Sequence, residues 1–492
     1  MPFEIDYLAL GPEIAVALTV MAVLTLDLLL PKSQKYWTGV VAVVGMMLAA
    51  VPLIALLADG STRVMLDGSW VVDPFALALK AVFLAAGYLV LLMSVGYIES
   101  DRYYEGEYYY LLLSSILGSL ALASSRDFIT MFISLELVTA PLFLLSGWRK
   151  GDSRSNESAL KFFLIGVLSA AMLGWGMSFV YGLTGTVNFT EVSGALGALL
   201  ADEAMRPAAV LAVLFVMTGF AFKISAVPFH FWAPDTYEGA PTPVTAYLSV
   251  SSKAAGFVGL LVVCYQAFES ARDIWAPTLW ILAALSMTLG NLSALNQKHI
   301  VRLLAYSSVA QAGFMLVPFG AAAVAGADLA QTFSATIIYI VIYAFMNLGA
   351  FGIVIAGSRR TGSGLVSSFA GFGTRAPGLA FLAAVFFFSL AGIPPLAGWY
   401  AKFAMFSSVI GAGETWAVTL AVIAAINAVI AFYYYARVVK TMWFDPAPDA
   451  PEKDTKPISG SLQLAIGLAT VMTFILGVLP GLADSLGRAA QL

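Results

Sequence analysis

Five lysines lie inside apolar runs of this sequence: Lys80, Lys161, Lys223, Lys253 and Lys402. No arginine shares that placement. Glu136, in FITMFISLELVTAPLF, is the clearest acidic counterpart. Lysine is the basic side chain whose charge burial can remove and a nearby carboxylate can restore. Arginine stays charged throughout. Each unit of pKa is worth about 1.36 kcal/mol, so moving a carboxylate partner nearer or farther loads or unloads the proton. Lysines of this kind, beside a carboxylate, suit proton transfer better than voltage sensing or anion selection.

The elements that must carry them are membrane helices. The chain has 492 residues, of which 60% are hydrophobic and 11% charged. Its mean hydropathy is +0.88. A soluble chain of this length would lack the polar surface to cover itself, so this is an integral membrane protein. A single cysteine, Cys264, excludes a disulfide framework, a cysteine-ligated Fe–S cluster and a zinc ribbon within the chain. The two histidines, His230 and His299, are too few for a histidine metal site. Neither a GxGxxG after a strand nor a P-loop occurs, so no cofactor is expected in this chain. The N-terminus carries Glu4 and Asp6 rather than a basic region, and the first apolar run reads as a spanning helix, not a cleaved signal.

Apolar runs of about 20 residues predict an all-α polytopic fold with fourteen spans. They cover about 10–30, 37–57, 73–98, 108–125, 127–148, 157–183, 207–232, 241–268, 275–296, 300–325, 331–357, 377–412, 415–443 and 459–481. The segments 184–206 and 444–458 read as surface connections. One set of loops holds fifteen Lys and Arg, from Lys32 and Lys35 through Arg102 to Lys453 and Lys456. The other set holds five: Arg63, Arg126, Arg206, Arg272 and Arg488. The five lysines inside spans complete the 25. The first set is therefore cytoplasmic, and both termini face outward.

A charge at mid-bilayer costs about 2.5–3.5 kcal/mol on insertion scales. Lys253, twelve residues after Pro241, and Lys223, twelve before Asp235, are about 18 Å deep at 1.5 Å per residue. Lys402, twelve residues before Glu414, is as far from the outer face, and Glu136 is about 14 Å deep. None of the four snorkels easily to a headgroup. The plain alternative for them is a static buried ion pair, but three deep lysines cannot all pair with one deep carboxylate. Lys161 lies close enough to its span end to snorkel. Lys80 reads as an interfacial anchor, and Asp27 reaches the interface. His230, beside Trp232 at a cytoplasmic end, either packs or joins the proton path; His299, next to Lys298, reads as a solvated face. Ser225, Ser249, Ser251 and Ser252 are placed to hold bridging water.

Prolines interrupt two of these spans. Pro228 follows Lys223 by five residues, and Pro394 and Pro395 precede Lys402 in GIPPLAGWYAKF. A proline inside a helix frees a carbonyl, tolerated at membrane depth only where protein or water satisfies it. Spans 4–8 and 9–13 each number five, so the second unit enters from the opposite side, and its broken span 12 corresponds to span 7. Broken helices at corresponding places predict two inverted five-helix repeats of a transporter. The implied divisions are 1–107, 108–268, 275–443 and 444–492.

Several motifs carry a family likeness: ISLELVTAPLF, SNESALKFFL, FKISAVPFHFWAPDTYEGAPTPV followed by SVSSKAAGF, NLSALNQKHIVRLLAYSSVAQAGF, and SLAGIPPLAGWYAKF. With them the chain resembles the N-type antiporter-like subunits of the proton-pumping NADH:quinone oxidoreductase, respiratory complex I. The likeness covers nearly the whole chain and is strongest from Tyr108 to Met442. The SxSKAAGF element favours the N type over the L and M relatives. The resemblance implies a proton-translocating, non-redox subunit of the bacterial plasma membrane. It implies that Glu136 pairs with Lys223, with Lys161 nearby, that Lys253 carries the central hydrated connection, and that Lys402 leads to the outer half-channel. His230 is carried as a further proton-path residue. Gln311 stands where the family often has histidine, which argues against titration there but leaves a role in orienting water. The implied partners are subunit M, other membrane-arm subunits and the hydrophilic subunits holding NADH, FMN, Fe–S clusters and quinone, with no nucleic acid. Two other readings are the large subunit of a cation/proton antiporter and a quinone-binding catalytic subunit.

Overall fold

The computed structural model describes residues 5–100, 106–324, 327–411, 413–447 and 457–490. Arg102, Lys453 and Lys456, counted above for orientation, lie outside the described residues, as does most of the proposed 444–458 connection.

Among the described residues, twelve helices are long and apolar enough to cross a membrane. In the bilayer core only helices and closed barrels satisfy every backbone group, and the described candidate spans are all helices. Helices α1 (Gly11–Leu29), α2 (Tyr36–Asp59) and α3 (Pro74–Glu99) come first. A small hairpin between α2 and α3, β1 (Arg63–Met65) antiparallel to β2 (Trp70–Val72), departs from the all-helical expectation. Then follow α4 (Glu107–Ser124), α5 (Phe128–Ser146) and α6 (Ser153–Thr184). The expected surface connection 184–206 instead holds a helix, α7 (Phe189–Ala201), which buries Phe189, Val192 and Leu196. Spacing of one buried apolar residue per turn makes that segment amphipathic, and at 13 residues it is too short to read as a span.

The seventh expected span is split. Helix α8 (Arg206–Lys223) stops at Lys223, residues 224–231 are not helical, and α9 (Trp232–Gly239) resumes. The next span joins α10 (Thr242–Tyr247), a π-helical turn at Leu248–Ser252, α11 (Lys253–Val262) and a second π-helical turn at Val263–Ala267. Helices α12 (Arg272–Leu295), α13 (Ile300–Ala321) and α14 (Leu329–Thr361) are continuous. After the four-residue α15 (Phe372–Arg375), the twelfth expected span is also split, into α16 (Pro377–Ala391) and α17 (Gly398–Ile410). Helices α18 (Thr415–Phe444), α19 (Gly460–Val478) and α20 (Gly481–Ala489) complete the chain. Both breaks coincide with the prolines that predicted them, and each contains a cis X-Pro bond, Val227–Pro228 and Pro394–Pro395.

The most buried of the twelve spans is α14, whose apolar window is wholly inside the protein. Around it pack α3, α13, α16, α17 and α19. Helices α1, α2, α6 and α18 are only one-third buried in their apolar windows and show their other faces outward. The deep lysines thus sit on or beside elements walled in by other helices.

The carboxylate side of the site depends on a close helix contact. At Gly118 in α4, an added Cβ would lie 2.6 Å from the Val138 nitrogen and 2.9 Å from the Ser134 carbonyl oxygen of α5. Nothing there is a flexible side-chain tip. Gly118→Val should therefore push α5, and Glu136 with it, off its seat, at about 1–3 kcal/mol or more. We expect lower yield and a lower thermal-aggregation midpoint in mild detergent. Gly194→Ala in α7, where a Cβ meets open space, should leave both unchanged.

Candidate functional site

Lys223 is the last residue of α8, at the lip of the first break. Its ammonium donates to the Glu136 carboxylate at 3.0 Å and to Thr139 Oγ1 at 2.8 Å. Glu136 and Thr139 are one turn apart on α5, so one helical face presents both acceptors. Lys223 is buried, whereas the Glu136 side chain keeps 29% of its accessibility. Beyond the lysine the chain turns through Ser225, a non-glycine residue at φ +57°, and the Val227 N–H is taken up by Ser286 Oγ of α12 at 2.9 Å.

Lys253 lies just past the π-helical turn, and such wide turns re-aim side chains where a regular helix would not. It is buried and has no carboxylate partner among the described residues. Its ammonium donates to the Ser308 carbonyl at 2.7 Å and to the hydroxyl of the same residue. Tyr237 of α9 approaches that hydroxyl at 3.5 Å. One turn earlier, Ser249 accepts from Asn347 of α14 at 2.9 Å. The buried hydroxyls of Ser225 and Ser251 make no hydrogen bond among the described residues.

Lys402 sits in the first turn and a half of α17 and reaches back across the second break. Its ammonium donates to the carbonyl of Ala391, the last residue of α16, and lies 5.1 Å from the Phe314 ring centroid. Gly392 at φ +95° turns the chain there, and a Cβ on it would meet Lys402 Cδ at 2.8 Å. Both breaks therefore hold an ammonium: one beside a carboxylate, one on a freed carbonyl. Between them, Gln311 of α13 donates to the Leu390 carbonyl at 3.1 Å and to Tyr435 Oη at 3.2 Å, and accepts from Tyr339 at 2.6 Å.

The remaining expectations are met unevenly. Lys161 does not join the Glu136–Lys223 pair. It bonds Glu157 and Asp235, each at 2.6 Å, in a half-exposed cluster where Arg302 also binds Asp235 and Glu238. Hydrogen bonds from Lys161 and Arg302 outweigh the upward push of partial burial and hold the Asp235 carboxyl below the usual range. Lys161 lies about two turns from the start of α6, near the polar loop before it, where the Glu157 and Asp235 carboxylates are within reach. His230 is half-buried in the first break, with the Pro228 backbone beside its ring. Lys80 is no interfacial anchor: it is fully buried and paired with Glu13 at 2.7 Å, 5.7 Å from the Trp70 ring. Asp27 is also buried, bonded to Lys35 at 2.8 Å. Arg126, counted among loop residues, is buried on Asp73 at 2.8 Å. His299 is not a solvated face but half-buried in the backbone turn that pairs it with Leu365. Among the described residues, no group of three or more His, Cys, Asp or Glu is placed to hold a metal.

Sequence reasoning missed Ser308, Tyr339, Tyr435 and the carbonyls of Leu390 and Ala391. Thr139 was legible in principle, one turn from Glu136. A cavity of about 960 Å³ opens between α3, α9, α14 and α19, lined in part by Tyr97, Tyr237, Glu238, His299 and Arg359. It reaches Tyr237, the neighbour of Ser308.

Comparison with known proteins gives the context of this geometry. The family described as NADH:quinone oxidoreductase/Mrp antiporter, TM matches residues 125–427. An NADH-quinone oxidoreductase subunit N from Trichlorobacter lovleyi is 38% identical over 482 residues, covering 96% of this chain and 94% of the relative. The chain belongs to the NADH-quinone oxidoreductase subunit N family. Among solved structures, a chain of respiratory complex I from Thermus thermophilus is 29% identical, with TM-score 0.78 and coverage of 97% and 99%. A chain of the Mrp complex from Dietzia sp. shares the fold at 19% identity and TM-score 0.83, covering 99% and 97%. In this subunit N family member, the deep lysines occupy the stretch that the family match spans.

Burial lowers the pKa of His299, against an opposing pull from Glu238. The folded protein thus disfavours the protonated imidazole, while the unfolded chain takes the proton near pH 6.5. This group's contribution to stability is full above that pH and is lost as pH falls below it. Heat inactivation should therefore accelerate from pH 7.5 to 5.5, and His299→Gln should flatten that dependence.

Proposed function

We propose that this chain is a proton-translocating membrane-arm subunit of a proton-pumping NADH:quinone oxidoreductase, carrying no redox cofactor itself. The observation that carries the reading is the placement of three deep ammonium groups along one set of packed helices. Lys223 stands on Glu136 at one break, Lys253 on Ser308 in the middle, and Lys402 on Ala391 at the other break. Each ammonium has acceptors, so each can hold a proton at a depth where an unpartnered charge costs several kcal/mol. Only the first has a carboxylate beside it. Moving Lys223 toward or away from Glu136 changes proton affinity there and, through charge repulsion, at the next lysine. The cavity reaching Tyr237 supports a cytoplasmic approach to Lys253.

On this reading the chain has fourteen spans, with 108–268 and 275–443 as inverted repeats and Lys402 on the outward side. Both termini face the outside of a bacterial plasma membrane. Subunit M and other membrane-arm subunits adjoin it, while NADH, FMN, Fe–S clusters and quinone sit in partner subunits. His230 and Lys161 serve the cytoplasmic approach, His230 from the break and Lys161 from the Asp235 cluster. The antiporter reading draws on the shared fold of the Mrp complex; co-purification with NADH-oxidising subunits would set it aside.

Lys223→Ala should lower proton-coupled quinone reduction by at least roughly ten-fold, while NADH oxidation by an artificial acceptor persists in the assembled complex. Glu136→Gln keeps the shape and removes the charge, so it should impair pumping far more than Glu136→Asp; equal activity of the two would remove the electrostatic role.

Lys402→Arg keeps donors and charge but cannot release the proton. It should lose pumping almost as fully as Lys402→Ala. An assembled Arg variant that pumps like the parent would make Lys402 a cap on the Ala391 carbonyl and nothing more.

A further inference from the structure

A groove of about 620 Å³ runs between α4, α5 and α6 at the membrane face where α5 turns into α6. Small residues make the hollow. Gly147 follows α5 and sits against Ala159 of α6, where an added Cβ on the glycine would lie 2.7 Å from the alanine Cβ. Larger apolar side chains form the walls: Leu111 of α4, Phe143 and Leu144 of α5, and Leu160 and Phe163 of α6. Leu144 and Leu160 are exposed, and Phe143 meets Phe163 edge to face at 5.5 Å between centroids. Phe163 is ten residues past Ser153, so the apolar wall reaches about 15 Å below the start of α6.

Polar groups stand at one end only. Glu107 opens α4, Lys150 lies in the turn between α5 and α6, and Asn156 is in the first turn of α6. Asn156 Nδ2 donates to the Lys150 carbonyl at 3.1 Å and so fixes the turn that presents the lysine. Two polar atoms of residues at this end make no hydrogen bond among the described residues. One is a carboxylate oxygen of Glu107, an acceptor. The other is Nε1 of Trp148, a donor, on a ring held edge to face by Tyr108 at 5.5 Å.

A groove on a membrane helix surface, apolar along its length and polar at the headgroup end, has the form of an amphiphile. Its charges narrow the choice. A lysine suits a phosphate oxygen, and a carboxylate suits an ammonium. A purely anionic headgroup would satisfy Lys150 but meet Glu107 with like charge. An apolar helix of a neighbouring subunit would cover the walls and leave both charges unmatched.

We propose that this groove binds one phospholipid of the surrounding bilayer, with a zwitterionic aminoethyl phosphate headgroup. Its phosphate lies on Lys150, beside the Trp148 indole, its ammonium lies on Glu107, and one acyl chain follows Phe143, Leu160 and Phe163. The site is apart from the deep lysines, and the inference does not depend on how protons cross the chain.

The test uses the whole complex in phosphatidylcholine vesicles doped with one of two probes, a phosphatidylethanolamine or a phosphatidylglycerol. Each probe carries a photoreactive diazirine on one acyl chain. After irradiation and digestion, mass spectrometry measures the lipid attached within residues 143–163, normalised to artificial-acceptor NADH oxidation. The ethanolamine probe should label this stretch roughly ten-fold more than the glycerol probe, the effect of one charge-assisted contact. Lys150→Glu should lower ethanolamine labelling by a similar, roughly ten-fold factor. Glu107→Gln should remove the preference between the probes, and Glu107→Lys should reverse it. Lys150 is exposed, so its exchange carries the test if the Glu107 variants fail to assemble. Equal labelling by both probes in the parent overturns the proposal, since ordinary acyl chains would then fill the groove. So does a lack of label in the assembled complex, which would give the groove to a helix of another subunit.

Discussion

An ammonium in hydrocarbon has to find acceptors from protein, and most backbone carbonyls there are already used by their own helix. That constraint organises this molecule. A helix that breaks releases carbonyls, and a lysine at the break can take one of them. Lys402 does so with Ala391, and Lys253 takes the Ser308 carbonyl by lying against α13. The breaks and the buried charges are thus one solution to two costs, each of which would be several kcal/mol if left alone.

The continuous helices give this arrangement its frame. Helix α14 is unbroken and walled in, α13 offers Ser308 and Gln311 one turn apart, and α5 offers Glu136 and Thr139 one turn apart. Helical spacing of three residues places both groups of each pair on one face. Lys80 on Glu13 and Arg126 on Asp73 show the same economy elsewhere: each of these two buried cations meets a carboxylate from another element. The split helices α8–α9 and α16–α17 are where this frame leaves room for change.

Much of this was legible in the sequence because the relevant signals are local. Apolar length marked the spans, proline marked both breaks, and lysine within a greasy run marked the deep charges. The Glu136–Lys223 pair was implied by the family resemblance; depth alone marked Glu136 as a deep carboxylate without saying which lysine it meets. Partners chosen by packing were not legible. Glu13 sits near the start of the first apolar run, and nothing in its surroundings pointed to Lys80 across two helices. Lys161 was close to its span end, but only the fold brings Asp235 and Arg302 to it. The 184–206 segment looked polar enough for a loop, because a short amphipathic helix dilutes its apolar residues with outward-facing ones. Main-chain acceptors carry no residue type at all, so the supports of Lys253 and Lys402 could not be read from letters.

That last feature bears on how such a site ages under mutation. Ala391 supplies an oxygen that every amino acid possesses, so its identity is free to drift without removing the bond to Lys402. Selection instead weighs on what aims the carbonyl: Gly392, whose left-handed turn and contact with the Lys402 stem leave no room for a side chain. A lineage could exchange the named acceptor freely and keep its chemistry, yet be unable to tolerate one methyl group at the silent neighbour.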